Sequence, residues 1–142
     1  TVMGATDDYT IKDAVGAARK YGVKVMVDLM NLKDPISRAV EVEKLGVDVV
    51  CLHVGISAQT REREVDQKIA LVENLVRSVK IPVAVAGGIK LEVVPLMISA
   101  GAKILIVGGA ITKSANPEEA TRRFVNLIRT TWNQRTLAAN KQ

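Results

Sequence analysis

The sequence predicts an α/β fold in which successive β/α units build a parallel sheet. Three segments, residues 21–27, 45–51 and 100–106, share one plan, in which a glycine ends a helix and an apolar run follows it directly. Other runs, such as residues 83–85 and 104–107, are apolar at consecutive positions, which is typical of parallel strands covered on both faces. Because this unit repeats, we expect a sheet or barrel of parallel strands, each followed by a helix.

Five β/α units account for the chain. The predicted strands are residues 1–4, 23–29, 47–54, 82–88 and 103–109. The predicted helices are residues 8–21, a segment that starts at residues 34–35, a segment around residues 65–79, residues 91–100 and a segment that starts at residues 116–119. Each helix carries apolar residues at helical spacing on one face, so each can pack against the sheet.

Two of the helix starts carry strong local signals. Asp34 followed by Pro35 places a capping carboxylate before a proline at the first helical position. Residues 116–119, Asn-Pro-Glu-Glu, resemble a capping box. Beyond Trp132 the sequence becomes polar, and we expect the last helix to fray there.

Length and composition indicate one partial-barrel domain, residues 1–130, followed by a polar basic tail, residues 131–142. The 142 residues are 48% hydrophobic but only 3% aromatic, so the core must consist of aliphatic side chains. The single cysteine, Cys51, lies in an apolar run, and we expect a buried, inert thiol there. Since no disulfide can form within the chain, a reducing, cytoplasmic compartment is expected. No segment reaches the ~18 apolar residues of a membrane span.

The net charge of +5 does not by itself indicate a nucleic-acid-binding surface. All fifteen acidic residues, and fifteen of the twenty Lys and Arg residues, lie at or before Glu119, so the body of the chain is neutral. The excess is confined to Arg122, Arg123, Arg129, Arg135 and Lys141. Basic residues near a helix C-terminus complement the helix dipole, which we favour over the alternative of a nucleic-acid-binding arm. We therefore expect neither nucleic acid nor a membrane as a partner.

The clearest functional signal is a pair of matching strand ends. Residues 82–88 and residues 103–109 both finish in two glycines. Glycine lets the chain turn with positive φ and lets an anion approach the backbone N–H groups. Because barrels bind phosphate on the loops after their last two strands, we interpret the two ends as a phosphate site. Plain tight turns are the alternative.

Two side chains that can carry chemistry end other strands. Asp28 follows a buried run, where a carboxylate is costly unless it is paired or solvated in a site. His53, the only histidine, ends the next strand, and an imidazole there suits proton transfer or polarisation of a carbonyl group. An aspartate that caps a loop amide and a histidine of the core or rim are the alternatives. We expect both residues to converge with the Gly-Gly ends.

Four motifs occur in order along the chain. They are VMVDLMNLKDP (25–35), GVDVVCLHVGISAQ (46–59), PVAVAGGIKLEVVP (82–95) and ILIVGGAITKSANP (104–117). They resemble the 3-hexulose-6-phosphate synthase family of the orotidine 5′-monophosphate decarboxylase suprafamily. The resemblance implies an eight-stranded (β/α) barrel, usually dimeric, that joins formaldehyde to ribulose 5-phosphate, with Mg²⁺ stabilising an enediolate.

The resemblance also implies roles for individual residues. His53 would polarise or protonate the reacting carbonyl group, and Asp28 would help to position the sugar. Backbone amides of one set of residues would hold the phosphate of the substrate. This set is Gly87, Gly88, Gly108, Gly109 and Ala110.

A decarboxylase of 3-keto-L-gulonate 6-phosphate is the alternative activity. Such decarboxylases typically carry Glu, Arg, Thr and Arg at the positions occupied here by Asp28, Ile56, Ala86 and Ala110. Formaldehyde is small and neutral, so a substrate pocket with Ile56 and Ala86 and without the two arginines favours the synthase.

The resemblance further implies strands that this sequence lacks. The family carries its metal and proton-transfer residues mainly on earlier strands, notably in an Asp-x-Lys-x-x-Asp motif that is absent here. We therefore expect a partial TIM barrel whose five units correspond to strands 4–8, with no metal ligands in this chain. An open sheet edge favours association, so we expect a homo-oligomer, a dimer, or loss of an N-terminal part. A phosphate-binding scaffold without turnover is the non-enzymatic alternative.

Overall fold

A computed structural model of the chain describes residues 1–53 and 63–139, and its centre is a five-stranded parallel sheet. The strands are β1 (Val2–Met3), β2 (Met26–Asp28), β3 (Val49–His53), β4 (Val83–Ala86) and β5 (Ile104–Ile106). They lie side by side in chain order, as successive β/α units require. The predicted α/β fold with five parallel strands is confirmed.

The described helices follow the strands. They are α1 (Asp8–Lys20), α2 (Pro35–Lys44), α3 (Arg63–Ser78), α4 (Val94–Ser99), α5 (Gly109–Thr112) and α6 (Pro117–Ala139). A 3₁₀ turn, Leu91–Val93, precedes α4, because Pro95 has no N–H group and fits only the first turn of an α-helix. The helix predicted over residues 91–100 is therefore shorter than expected. Within the described residues, no helix is both long enough and apolar enough to cross a bilayer.

The predicted N-caps of two helices are confirmed, although the described contacts do not include the return bond from the Glu119 side chain that would complete a capping box. Asp34 Oδ1 accepts a hydrogen bond from the Ser37 N–H at 3.0 Å, and Asn116 Oδ1 accepts one from the Glu119 N–H at 3.0 Å. Three glycines that end helices, Gly22, Gly46 and Gly101, have φ values of 66°, 89° and 105°. At each of these helix ends the repeated glycine therefore adopts the left-handed backbone conformation, which other residues adopt only at a cost.

The last helix continues beyond its predicted limit. α6 extends through most of the predicted tail, residues 131–142, so the expectation of fraying beyond Trp132 is wrong for the described part. The Trp132 indole packs against the core, and the Lys103 ammonium lies 4.7 Å from its ring centre. Arg135 donates a hydrogen bond to the carbonyl of Ile98. These contacts hold in place a segment whose polar composition predicted fraying.

Side chains of the strands alternate between two faces of the sheet. One face packs against the helices and contributes Val27, Val50, Leu52, Val83 and Val85 to the main core. The helices contribute Ile11, Val15, Val42, Val72, Leu75, Val94, Met97 and Phe124 to the same core. A second cluster on the opposite face consists of Cys51, Ala84 and Ala86, with Met26 and Val49 beside them. None of the described helices contributes a residue to this second cluster.

The second face of the sheet is only partly covered. Met3, Ile104 and Ile106 belong to it by register, and they are 40%, 39% and 39% exposed. All four residues of β4 are buried, whereas β5 is not. The expectation that both faces of the strands are covered is therefore wrong for β5, and the described part of the sheet has one apolar face in contact with solvent.

Two glycines with opposite backbone requirements should respond oppositely to alanine. Gly101 has φ 105°, and a Cβ there would lie 2.9 Å from Val76 Cγ1. Gly16 lies inside α1, and a Cβ there would meet nothing within 4 Å apart from its chain neighbours and the backbone of its own helix. We expect Gly101→Ala to lower the free energy of unfolding by about 1–3 kcal/mol. Gly16→Ala should raise it by about 0.5–1 kcal/mol, because alanine loses less entropy in a helix. Urea unfolding at fixed protein concentration measures both, and equal effects would contradict this account.

Candidate active site

The carboxyl ends of the parallel strands meet at one edge of the sheet. Asp28, His53 and Ala86 are the last residues of β2, β3 and β4. By register, Asp28 pairs with Met3 of β1, and Ala86 pairs both with His53 and with Ile106 of β5. The predicted catalytic residues and the predicted phosphate-binding turns therefore share one edge, as in parallel β/α proteins generally.

His53 and Asp28 are hydrogen-bonded to each other. The distance from His53 Nδ1 to Asp28 Oδ2 is 2.7 Å, and the two side chains are 32% and 13% exposed. Because a carboxylate offers only acceptors, Nδ1 carries the proton that lies between the two side chains, and Nε2 is the other ring nitrogen. The other carboxylate oxygen, Oδ1, accepts from the Met30 N–H at 2.9 Å. Asp28 therefore both caps its own loop and orients the imidazole.

The turn after β4 has the predicted glycine backbone. Gly87 and Gly88 have φ values of 79° and 63°. Two successive residues with positive φ favour glycine, since each would strain a side chain. Gly87 is half-buried and Gly88 is exposed, so no side chain of the turn itself shields its amides from an anion.

The segment after β5 differs from the turn after β4. Gly108 has φ −111°, so the prediction that both glycine pairs turn through positive φ is wrong here. The amides of Ile111 and Thr112 donate to the Gly108 carbonyl, which begins α5 directly after the strand. The amides of Gly109 and Ala110 precede that first helical hydrogen bond, and both residues are exposed.

Lys68 of α3 lies at the same edge and was not among the predicted site residues. Its Nζ donates to the carbonyl of Ala86 at 3.1 Å and to the carbonyl of Gly87 at 2.6 Å. Burial lowers the pKa of the ammonium group to about 8. A signal was present, because Lys68 lies four residues before Val72 and seven before Leu75, on the apolar stripe of the helix. A cation on such a stripe requires polar partners.

Arg38 of α2 holds the loop after β1 at this edge, and it was also missed. Its Nε donates to the carbonyl of Gly4 at 2.8 Å, and its Nη2 donates to the carbonyl of Thr6 at 2.8 Å. Its Nη1 pairs with Asp8 at 2.8 Å. Since the Gly4 N–H donates to the Asp28 carbonyl at 2.7 Å, this loop lies directly beside the residue that orients the imidazole.

Cys51 lies next to Asp28 on the same face of the sheet. Its side chain is fully buried, and the two residues are partners in the register of β2 and β3. Burial, together with the nearby charge of Asp28, raises the pKa of the thiol to about 12. The predicted inert cysteine is confirmed, because a thiol with this pKa is not a nucleophile at neutral pH.

Comparisons with known proteins identify the family of the chain. A model of the orotidine 5′-phosphate decarboxylase / HUMPS family matches residues 1–124. The chain belongs to this family. A family member, the 3-hexulose-6-phosphate synthase of Bacillus subtilis (strain 168), is 42% identical over 128 residues, which cover 90% of this chain and 60% of that protein.

Solved structures similar to this chain include a 3-hexulose-6-phosphate synthase. It has a TM-score of 0.80 at 35% identity and covers 89% of this chain and 60% of its own. The 3-keto-L-gulonate-6-phosphate decarboxylase from Vibrio cholerae O1 biovar El Tor has a TM-score of 0.65 at 17% identity, covering 92% and 60%, and this likeness concerns the fold alone. The chain thus spans about 60% of the length of these relatives.

Mg²⁺, which the resemblance to the synthases implies, finds no ligand set among the described residues. In residues 1–53 and 63–139 there is no group of three or more His, Cys, Asp or Glu that could hold a metal ion. Asp28 is a single carboxylate, and its two oxygens also accept hydrogen bonds from His53 and Met30. Because Mg²⁺ requires several oxygen ligands in octahedral geometry, these residues do not fit a magnesium site on their own.

The predicted substrate-pocket residues have different positions. Ala86 is buried, and it lies beside His53 in the register of β3 and β4. Ile56 lies outside the described residues. Ala110, which was predicted to help hold the phosphate, lines a separate cavity of about 350 Å³ between α5, α6 and the 3₁₀ turn, together with Lys90. The structure therefore brings Ala86, but not this cavity, next to the imidazole.

Proposed function

We propose that this chain supplies the proton-transfer and phosphate-binding part of a 3-hexulose-6-phosphate synthase, which adds formaldehyde to ribulose 5-phosphate in an aldol reaction. The observation that carries the proposal is the 2.7 Å hydrogen bond between His53 and Asp28, at the strand edge that also holds the Gly87–Gly88 turn. Relatives named for this activity support it.

His53 is proposed to transfer a proton during carbon–carbon bond formation. In an aldol addition the sugar loses a C–H proton, and the oxygen of formaldehyde gains a proton as the new bond forms. Since Asp28 holds Nδ1–H, Nε2 is the ring atom available to exchange a proton with a reacting oxygen. The carboxylate keeps the ring in one orientation and stabilises the imidazolium that forms when Nε2 is protonated.

The phosphate of the sugar is proposed to bind to the ends of β4 and β5. The Gly87–Gly88 turn offers amides without side chains, and Gly108, Gly109 and Ala110 offer exposed backbone after the neighbouring strand. Because β4 and β5 are adjacent and parallel, both segments leave the sheet at the same edge. Oriented N–H groups there would carry the charge of the phosphate without an arginine.

The small side chains near this edge support a synthase rather than a decarboxylase. Ala86 lies beside His53 and brings no cation toward the reacting carbon atoms. We propose that Ala86 and Ile56 line the formaldehyde pocket, the latter on the basis of the sequence alone. A small neutral substrate needs no arginine to orient it.

We also propose that the chain is a partial barrel equivalent to strands 4–8 of the eight-stranded family barrel. The Mg²⁺ ligands would then lie on other strands of that barrel, and the protein would act in a cytoplasmic compartment. The sheet face with Met3, Ile104 and Ile106 is partly exposed and apolar, and apolar surface of this kind favours association. It therefore supports a homo-oligomer, which we propose to be a dimer. Size-exclusion chromatography with light scattering is expected to give a mass above the 15.3 kDa of one chain. A monomer at micromolar concentration would contradict this expectation.

The experiment for the proposed function is an assay of formaldehyde consumption with ribulose 5-phosphate and Mg²⁺, paired with a direct binding measurement. Turnover that depends on His53 supports the synthase. Binding of ribulose 5-phosphate without turnover supports the scaffold alternative, for which the absence of a three-ligand metal group in the described residues is the specific argument. The absence of both turnover and binding would overturn the proposal.

A further inference from the structure

Lys68 makes two contacts that the proposed proton transfer does not explain. Its Nζ donates to the carbonyl of Ala86, the last residue of β4, at 3.1 Å, and to the carbonyl of Gly87, the first residue of the glycine turn, at 2.6 Å. The side chain leaves α3 on the stripe that also carries the fully buried Val72 and Leu75. A lysine therefore reaches from the core side of a helix to the end of a neighbouring strand.

The two carbonyl groups determine where two amide groups point. In a trans peptide unit, a carbonyl group and the N–H group of the next residue point in opposite directions, and the described residues contain no cis peptide bond. The Ala86 carbonyl is thus coupled to the Gly87 N–H, and the Gly87 carbonyl is coupled to the Gly88 N–H. Because both carbonyl groups point toward Lys68, both N–H groups point away from it.

Because the turn consists of glycines, the orientation of its peptide planes depends on contacts from outside the turn, such as those of Lys68. Gly87 and Gly88 have no Cβ, so each can adopt several backbone conformations at little cost, and the peptide planes between them can reorient. Two charge-assisted hydrogen bonds from one ammonium group select a single orientation of both planes. They also give hydrogen-bond partners to an ammonium group whose pKa burial lowers to about 8.

The charge of Lys68 is not neutralised by the catalytic pair nearby. Among the described residues, no carboxylate forms an ion pair with the Lys68 ammonium group, and burial raises the pKa of the nearby Cys51 thiol to about 12, which leaves that thiol neutral. A cation behind two outward-pointing N–H groups makes the electrostatic potential in front of them more positive. This arrangement favours an anion at the turn.

We propose that Lys68 is a positioning residue for a phosphate-bearing ligand, holding the amides of Gly87 and Gly88 in one orientation and adding positive charge behind them. The role rests on the proposed function, in which this turn binds the phosphate of the sugar. The ammonium group acts through the turn and does not touch the ligand. Arginine is also cationic and also donates several hydrogen bonds, so Lys68→Arg should preserve binding.

The test uses the full chain, with inorganic phosphate and ribulose 5-phosphate as probes. The variants are Lys68→Met, Lys68→Arg and, as a control for charge, Lys12→Met on the exposed side of α1. In the ligand-free protein, the amide NMR resonances of Gly87 and Gly88 should shift in Lys68→Met and not in Lys12→Met. The dissociation constants of both probes should rise at least about tenfold in Lys68→Met and less than about threefold in the other two variants.

Each outcome of this experiment decides the role of Lys68. Unchanged Gly87 and Gly88 resonances in Lys68→Met, or dissociation constants within about twofold of wild type, overturn it, because loss of charge-assisted hydrogen bonds has a larger effect. Lys68→Gln provides the same comparison should the methionine variant fail to fold. If phosphate does not shift these resonances in the wild-type chain, the proposed phosphate site fails as well. If the wild-type chain and Lys68→Met bind equally, only the role of Lys68 fails.

Discussion

Replacing His53 with alanine is expected to lower the rate of formaldehyde consumption by about 10²–10⁴-fold, the usual contribution of a positioned acid–base group. The variant removes the only imidazole of the chain, which Asp28 holds through Nδ1. Because the phosphate is proposed to bind at Gly87–Gly88, the dissociation constant of ribulose 5-phosphate should change by less than about threefold. Initial rates and a binding titration measure the two quantities separately.

Two aspartate variants provide the matched comparison for His53. Asp28→Asn removes the carboxylate that fixes the proton on Nδ1, so it should slow turnover and change the tautomer seen by ¹⁵N NMR of the imidazole. Asp48→Asn alters a carboxylate that accepts from the Val25 N–H at 2.8 Å, ahead of the strands and away from the carboxyl-end edge, and should leave the tautomer unchanged. Wild-type turnover in His53→Ala, or equal spectra for the two aspartate variants, would contradict the assignment.

Replacing Leu75 with alanine is expected to lower the free energy of unfolding by about 2–5 kcal/mol. Leu75 is fully buried in the main core, where α3 packs against the sheet. The substitution removes apolar contacts and leaves a cavity that a close-packed core fills only in part. Urea unfolding, monitored by circular dichroism at one protein concentration, measures the change.

Leu137→Ala is the control for this loss of a leucine side chain. Leu137 lies on α6 and is 64% exposed, so its replacement should change the free energy of unfolding by less than about 0.5 kcal/mol. A cost below about 1 kcal/mol for Leu75→Ala would mean that the α3 interface is not part of a tightly packed core.

The order of strands and helices could be predicted because each unit carries local signals. Asp34 caps α2 as expected, and the glycines after α1, α2 and α4 adopt positive φ. The boundaries were less predictable, as β2 illustrates. The Val23 N–H donates to the carbonyl of Ala18 and completes the end of α1, and the Val25 N–H donates to the Asp48 side chain. Apolar residues that the sequence assigned to a strand therefore serve the helix end and the turn before it.

The site could be predicted only as far as strand position determines it. Asp28 and His53 were identified from their places at strand ends, but their 2.7 Å contact depends on side-chain rotamers that periodicity does not encode. Lys68 was missed because it reaches the edge from a helix. Gly108 differs from Gly87 because the residues after it begin α5 at once, so the same dipeptide has two conformations in one chain.

The alternation of side chains along β3 links the core to the site. Val50 and Leu52 face the helices, whereas Cys51 and His53 face the other side of the sheet. Insertion or deletion of one residue ahead of Val50 would exchange the two sets, burying the imidazole under the helices and turning leucine toward Asp28. Evolution can therefore vary this strand by substitution, but a length change of a single residue would destroy the core and the site together.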